Sequence, residues 1–166
     1  RNRILLHIVD MAPFDGSDPA AAACSIVNEI ERFSPTLAGR QRWLVLNKSD
    51  LISAQEFSER KAAVLAALDW QGPVYDIAAI AATGTAALCG DMMRYLEERN
   101  ALEASDPEVA EIENETQSRM QEEARKRIDG LRSARREEAR VAKEQRGDDD
   151  DDFDDDDYGV EVEYAP

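Results

Sequence analysis

Asn47, Lys48, Ser49 and Asp50 stand between the apolar run Trp43 to Leu46 and the apolar pair Leu51-Ile52, and bring an amide, a cationic stem, a hydroxyl and a carboxylate together. A fixed carboxylate can accept two parallel donors in a fork. A purine with N1–H and an exocyclic 2-amino group presents that pair of donors, and that purine is guanine. Adenine offers an acceptor at N1 and nothing at C2, so it would leave Asp50 desolvated and unpaired; polar sites of this kind reject the wrong partner by about 10⁴ or more. The Lys48 stem can lie along the ring, and the Asn47 amide can bond the base and tie neighbouring loops together. Ser49 has no evident role. The same four residues also describe a plain turn that leads into a capped helix, so the elements that carry them decide their meaning.

The first hundred residues alternate between two periodicities. Ile4 to Val9 is a continuous apolar run, as expected of a parallel strand covered on both faces, and it stops at Asp10. Pro13, Gly16 and Pro19 mark a loop, and Asp18-Pro19 reads as the cap and first position of a helix on which Ala22, Ile26, Val27, Ile30 and Phe33 recur until Ser34-Pro35. Trp43 to Leu46 is a second strand. Ser53-Ala54-Gln55-Glu56 is a capping box for a helix lined by Phe57, Ala63, Val64, Leu65, Ala67 and Leu68. Val74 to Ile77 reads as a third strand, and Leu88, Met92, Tyr95 and Leu96 as a third helix. Three strand–helix units imply an α/β fold with an open parallel sheet flanked by helices. In such sheets ligands bind beyond the carboxyl ends of the strands, which is where Asn47 to Asp50 falls.

The rest of the chain differs in composition. Residues 1–100 carry 13 acidic and 10 basic side chains, residues 101–166 carry 23 and 10. Ala101 to Pro107 reads as a linker. Glu108 to Arg146 is rich in Glu, Arg, Lys, Gln and Ala, and is expected to be a charged helical segment without a continuous apolar stripe. Nine of the ten residues from Asp148 to Asp157 are Asp, so residues 147–166 are expected to form an acidic disordered tail. Its Gly159 to Tyr164 end alternates over a short stretch and is open to two readings, a strand added to a sheet edge or no structural role. The division expected is therefore 1–100, 101–146 and 147–166.

Cys24 and Cys89 lie 65 positions apart without metal-ligand spacing, inside apolar helical patterns that suit reduced, packed thiols. No basic-then-apolar leader opens the sequence, and no apolar run approaches the roughly 20 residues a membrane span requires. These features predict a soluble cytoplasmic protein with no membrane partner. His7 sits alone in a strand and reads as structural. Asp10 and Asp15 read as loop caps. The basic residues of Arg119 to Arg146 lack interleaved aromatics, so phosphate neutralisation of RNA competes there with a solvated helix face.

Asn47-Lys48-Ser49-Asp50 is similar to the guanine-specificity motif NKxD of translation-factor-type GTPases. The segments RNRILLHIVDMAPFDGSDP, RWLVLNKSDLI and LDWQGPVYDI, with an Asp block leading into GVEVEY, resemble one branch in particular, the Obg (CgtA) GTPases. The resemblance runs from about Arg1 to Glu98 and resumes in character at the acidic end. It implies a P-loop-NTPase-like sheet, of which this chain supplies the C-terminal half, and an intact protein that binds and hydrolyses GTP with Mg²⁺. It further implies a cytoplasmic monomer that acts in assembly of the large ribosomal subunit.

Within the resemblance, the family's last nucleotide loop, usually Ser-Ala-x, falls on Ala78-Ala79-Ile80, with the Ala79 N–H aimed at guanine O6. Ala78 departs from the family's Ser, and Ala81-Ala82 from its usual Thr-Gly, although Gly84 matches. Losing the hydroxyl brace would cost on the order of 1 kcal/mol if that bond was buried. The guanine-site residues implied are thus Asn47, Lys48, Ser49, Asp50, Ala78, Ala79 and Ile80. No GxxxxGK[ST] sequence occurs in the chain, nor the family's switch segments, nor any Mg²⁺ ligand that the resemblance would place here. The chain alone is therefore expected to be inactive in phosphoryl transfer. The alternative is a non-catalytic interaction module whose acidic tail binds basic proteins.

Overall fold

The computed structural model describes residues 2–146. Three strands, β1 (Ile4–Asp10), β2 (Gln41–Asn47) and β3 (Val74–Asp76), form a parallel sheet in the order β1-β2-β3. The register runs from Ile4 opposite Gln41 to Asp10 opposite Asn47, and from Leu44 opposite Val74 to Leu46 opposite Asp76. All three carboxyl ends therefore finish at one level.

Alternation along β2 explains the two layers. Leu44 and Leu46 face one side, where they pack with Val9 and Met11 against Ala20 and Ala23 of α1 (Pro19–Phe33) and Val64 of α3 (Ala54–Ala67). Trp43 and Val45 face the other, with Ile77 and with Leu88, Met92 and Tyr95 around α4 (Thr85–Ser105). Both faces are covered, which is why β2 reads as an unbroken apolar run. The fold is thus α/β, a three-stranded parallel sheet with flanking helices.

The helix signals act largely as the sequence implies. Asp18 accepts from the Ala20 and Ala21 N–H groups ahead of Pro19, and Ser53 Oγ accepts from the Glu56 N–H at 3.2 Å. The Glu56 carboxylate reaches Arg60 instead of turning back to close the box. Ser34-Pro35 ends α1 and also starts α2 (Pro35–Ala38), with Ser34 Oγ accepting from Leu37 N–H. The inward line of α1 is Ala20, Ala23, Val27 and Ile30, whereas Ala22 and Ile26 are exposed.

Two expectations change. Ala101 to Pro107 is no linker: Ala101, Leu102, Glu103 and Ala104 are strong helix formers and continue α4 to Ser105, and the chain breaks only at extended Asp106, ahead of Pro107. Cys89 is exposed and Cys24 half-buried, so neither thiol is packed in the core; both are free. Asp106 then caps α5 (Pro107–Arg146), its carboxylate accepting from Glu108 N–H at 3.0 Å.

A first compact unit extends to Asp129, so the opening turns of α5 belong with the sheet. They dock through polar groups. Glu113, 3% exposed, takes both terminal nitrogens of Arg40 at 2.7 Å and the Gln117 amide at 2.9 Å. The Arg40 hydrogen bonds, helped by Gln117, hold its carboxyl down to about 2. Glu123 accepts from Ser34 Oγ, Thr36 Oγ1 and Thr36 N–H, and Arg3 grips Glu103 of α4 with two bonds. Buried Met120 is the apolar member of the same inward line. Residues 147–166, including the expected acidic tail, lie outside the described residues.

Candidate functional site

Three loops leave the carboxyl end of the sheet, and main-chain bonds tie them to one another. Met11 N–H donates to Asn47 O at 3.1 Å, joining the β1–α1 loop to the end of β2. Ser49 N–H donates to Ile77 O, also at 3.1 Å, joining the β2–α3 turn to the end of β3. Ser49, to which the sequence assigns no role, acts here through its backbone. Asn47 Oδ1 accepts from Ala79 N–H at 3.1 Å and so spans the two turns that the resemblance assigns to one nucleotide.

That last bond is a tie between loops of the kind expected of the Asn47 amide. The Ala79 N–H expected to aim at guanine O6 is engaged by Asn47, because the Asn47 side chain leaves β2 at the level where the Ala78 turn begins. A base would have to exchange one acceptor for the other. The exchange costs little, since one hydrogen bond replaces another.

Lys48 adopts φ 67°, a left-handed backbone that is uncommon outside glycine. This turns the chain sharply out of β2. The Lys48 ammonium pairs with Asp10 at the end of β1, and Asp10 also accepts from Ala12 N–H at 3.0 Å. Asp10 is therefore both the loop cap read from the sequence and an anchor for Lys48. The register explains the second role, since Asp10 and Asn47 are direct partners across the sheet. Asp50, one turn further on, is exposed, and no hydrogen bond or ion pair engages its carboxylate among the described residues.

The Ala78–Ile80 turn keeps its shape without a hydroxyl. Ala78 N–H donates to Thr83 O at 3.0 Å and Thr83 N–H returns to Ala78 O at 3.1 Å, closing a small backbone bridge. Ala82 at φ 54° and Gly84 at φ 76° make the reversal. A Cβ at Gly84 would meet Asp76 O at 2.4 Å, so only glycine fits there. Thr83 and Gly84 thus brace the turn where the resemblance leads one to look for Ser at position 78. Neither bears a side-chain signal that would reveal it in the sequence, apart from the glycine itself.

Phe14, Leu51 and Ile80, one from each loop, are exposed apolar side chains. The arrangement offers an unengaged carboxylate and apolar surface beside it. Among the described residues no group of three or more His, Cys, Asp or Glu could hold a metal ion. Among the described residues no helix is long and apolar enough to cross a membrane. No protein-family model matches the chain.

The edge of the sheet beside the site is open. Among the described residues β1 pairs only with β2, and since Met11 N–H points to β2, alternation turns the main-chain groups of Leu6, Ile8 and Asp10 outward. Ile8 is 59% exposed. A cleft of about 220 Å³ runs between this edge and α1, lined by His7, Ser17, Ala22 and Ile26 among others. His7 is buried, as its structural reading implies, yet neither ring nitrogen has a partner. Burial, and then the Arg42 charge, push its pKa down.

Proposed function

We propose that this chain carries the guanine-recognition half of an Obg-like GTPase, which binds and hydrolyses GTP when intact and acts in biogenesis of the large ribosomal subunit. The observation that carries the reading is the Asn47–Ala79 bond, which unites the NKSD turn with the Ala78–Ile80 turn while Asp50 stays exposed and unengaged. In this reading Asp50 accepts guanine N1–H and the 2-amino group in a fork, and Ala79 N–H passes from Asn47 to O6. The Lys48 stem and Ile80 offer apolar surface to the ring. The absence of a GxxxxGK[ST] sequence from these residues means that phosphate binding and transfer need groups supplied from elsewhere. The outward main-chain groups of Leu6, Ile8 and Asp10 on the open β1 edge suit pairing with a further parallel strand on that side.

Base contacts alone give weak binding, roughly millimolar or weaker. The test is therefore an NMR titration of the whole chain with GMP and AMP at millimolar concentration. GMP should shift the Asp50 and Ala79 amide signals, with AMP at least about tenfold less effective. Equal shifts from the two nucleotides, or none at either residue, would overturn the assignment.

A further inference from the structure

A second unit begins at Gly130 and takes in the end of α5. Within it Arg132, Arg135, Arg136 and Arg140 are all exposed. At 3.6 residues per turn, their offsets of three, four and eight place them on one helix face within an arc of about 140°. Glu137 and Glu138 fall outside that arc, and Glu137 reaches back only to Arg140, at 2.6 Å. Among the described residues, Arg132, Arg135 and Arg136 have no carboxylate within 4.0 Å. Residues 130–146 carry six basic and three acidic side chains, whereas residues 147–166 carry eleven acidic and no basic ones.

We propose that this arginine face is an anion seat and that its occupant is the Asp148–Asp157 segment of the same chain, folded back along α5. Charge complementarity selects the occupant: nine carboxylates in ten positions repel one another within a Debye length of about 8 Å, and guanidinium groups relieve that repulsion. The reach is sufficient. From Arg146 back to Arg132 the helix measures about 21 Å, while ten extended residues span about 33 Å. The tether also gives the segment an effective concentration on the order of millimolar at this face, ahead of any free anion of equal affinity. The consequence is a covered surface: phosphate-bearing partners of the arginine face must first displace the aspartates. This inference stands apart from the guanine site.

The experiment uses the full chain, labelled for NMR, beside a full-length variant in which every Asp of residues 148–157 is replaced by Asn. The Nε–Hε signals of Arg132, Arg135 and Arg136 should differ between the two at about 20 mM salt and converge at about 300 mM, independently of protein concentration. The Asn variant should also bind inorganic polyphosphate about tenfold more tightly than the wild type, and Arg132→Gln with Arg136→Gln in that variant should abolish the gain. Identical arginine signals at low salt would overturn the proposal. So would differences that grow with protein concentration, which would place the contact between copies, or equal polyphosphate affinity in the two chains.

Discussion

Glu113 is a carboxylate buried at a position where a charged helix would ordinarily face water, and its partners explain why it stays ionised. Arg40 gives it two bonds and Gln117 a third, which holds its pKa near 2, below the ordinary 4.5. A carboxyl whose folded pKa is depressed stabilises the fold above its unfolded pKa and loses that contribution as pH falls through the folded value. Here the window is pH 4.5 down to 2, and the contribution at stake is at most about 3 kcal/mol. Glu113→Gln should therefore lower stability at pH 7 by about 3 kcal/mol, because Arg40 is left buried with half its acceptors, and should flatten the acid dependence in that window. Urea titrations at a series of pH values measure both effects; an unchanged pH slope would show that another carboxylate dominates.

Gly84 offers a second residue-scale contrast. Its left-handed φ and the 2.4 Å approach of Asp76 O to a notional Cβ predict that Gly84→Ala costs about 2 kcal/mol or more. Gly90 lies within α4 with open space where its Cβ would go, so Gly90→Ala should stabilise by about 0.5–1 kcal/mol. Thermal melts of the pair check both signs at once. If Gly84→Ala melts like the wild type, the turn that carries Ala79 is not constrained as described.

At the scale of elements, the sequence shows most of what the sheet needs. Apolar runs ending at Asp10 and Asn47, and caps at Asp18 and Ser53, are local signals, and local signals place β1, β2, α1 and α3 to within a residue or two. What escaped was set by partners distant in sequence. The inward line of α1 runs through Ala20 and Ala23, because small residues let the helix approach the sheet, whereas spacing counted back from the large residues Ile26, Ile30 and Phe33 selects Ala22, on the exposed side with Ile26. The early part of α5 has no apolar stripe, as its composition implies, yet it docks, because Glu113 and Glu123 find Arg40, Ser34 and Thr36 more than seventy positions away. Periodicity of hydrophobicity cannot detect a polar seam. The same docking predicts that a chain ending at residue 129 melts within about 2 °C of the full chain, while one ending at residue 106 melts more than about 5 °C lower. Equal midpoints for the two truncations would mean that α5 adds nothing to the first unit.

At the scale of the molecule, the candidate site exists because a parallel sheet delivers three loops to one end. The sequence shows Asn47 to Asp50 and, through its resemblance to Obg GTPases, the Ala78–Ile80 turn; it does not show that Asp10 holds Lys48, that Thr83 closes the second turn, or that Asn47 already occupies the Ala79 N–H. Those three facts depend on register across strands, which no short pattern encodes. The loops are held by main-chain and side-chain bonds, while no partner engages the Asp50 carboxylate among the described residues.

In the proposed function Asp50 reads the N1–H and 2-amino edge of guanine, and base exchange by a single substitution tests that role most directly. Asp50→Asn keeps the size of the side chain but turns one acceptor into a donor, which then matches the C2 oxygen of xanthine while the remaining oxygen still accepts N1–H. Titrations of both chains with GMP and XMP, followed at the Ala79 amide, should show the wild type favouring GMP and the variant favouring XMP, with the preference ratio moving by about 100-fold or more. A variant that kept the wild-type preference would place Asp50 away from the base and contradict the account.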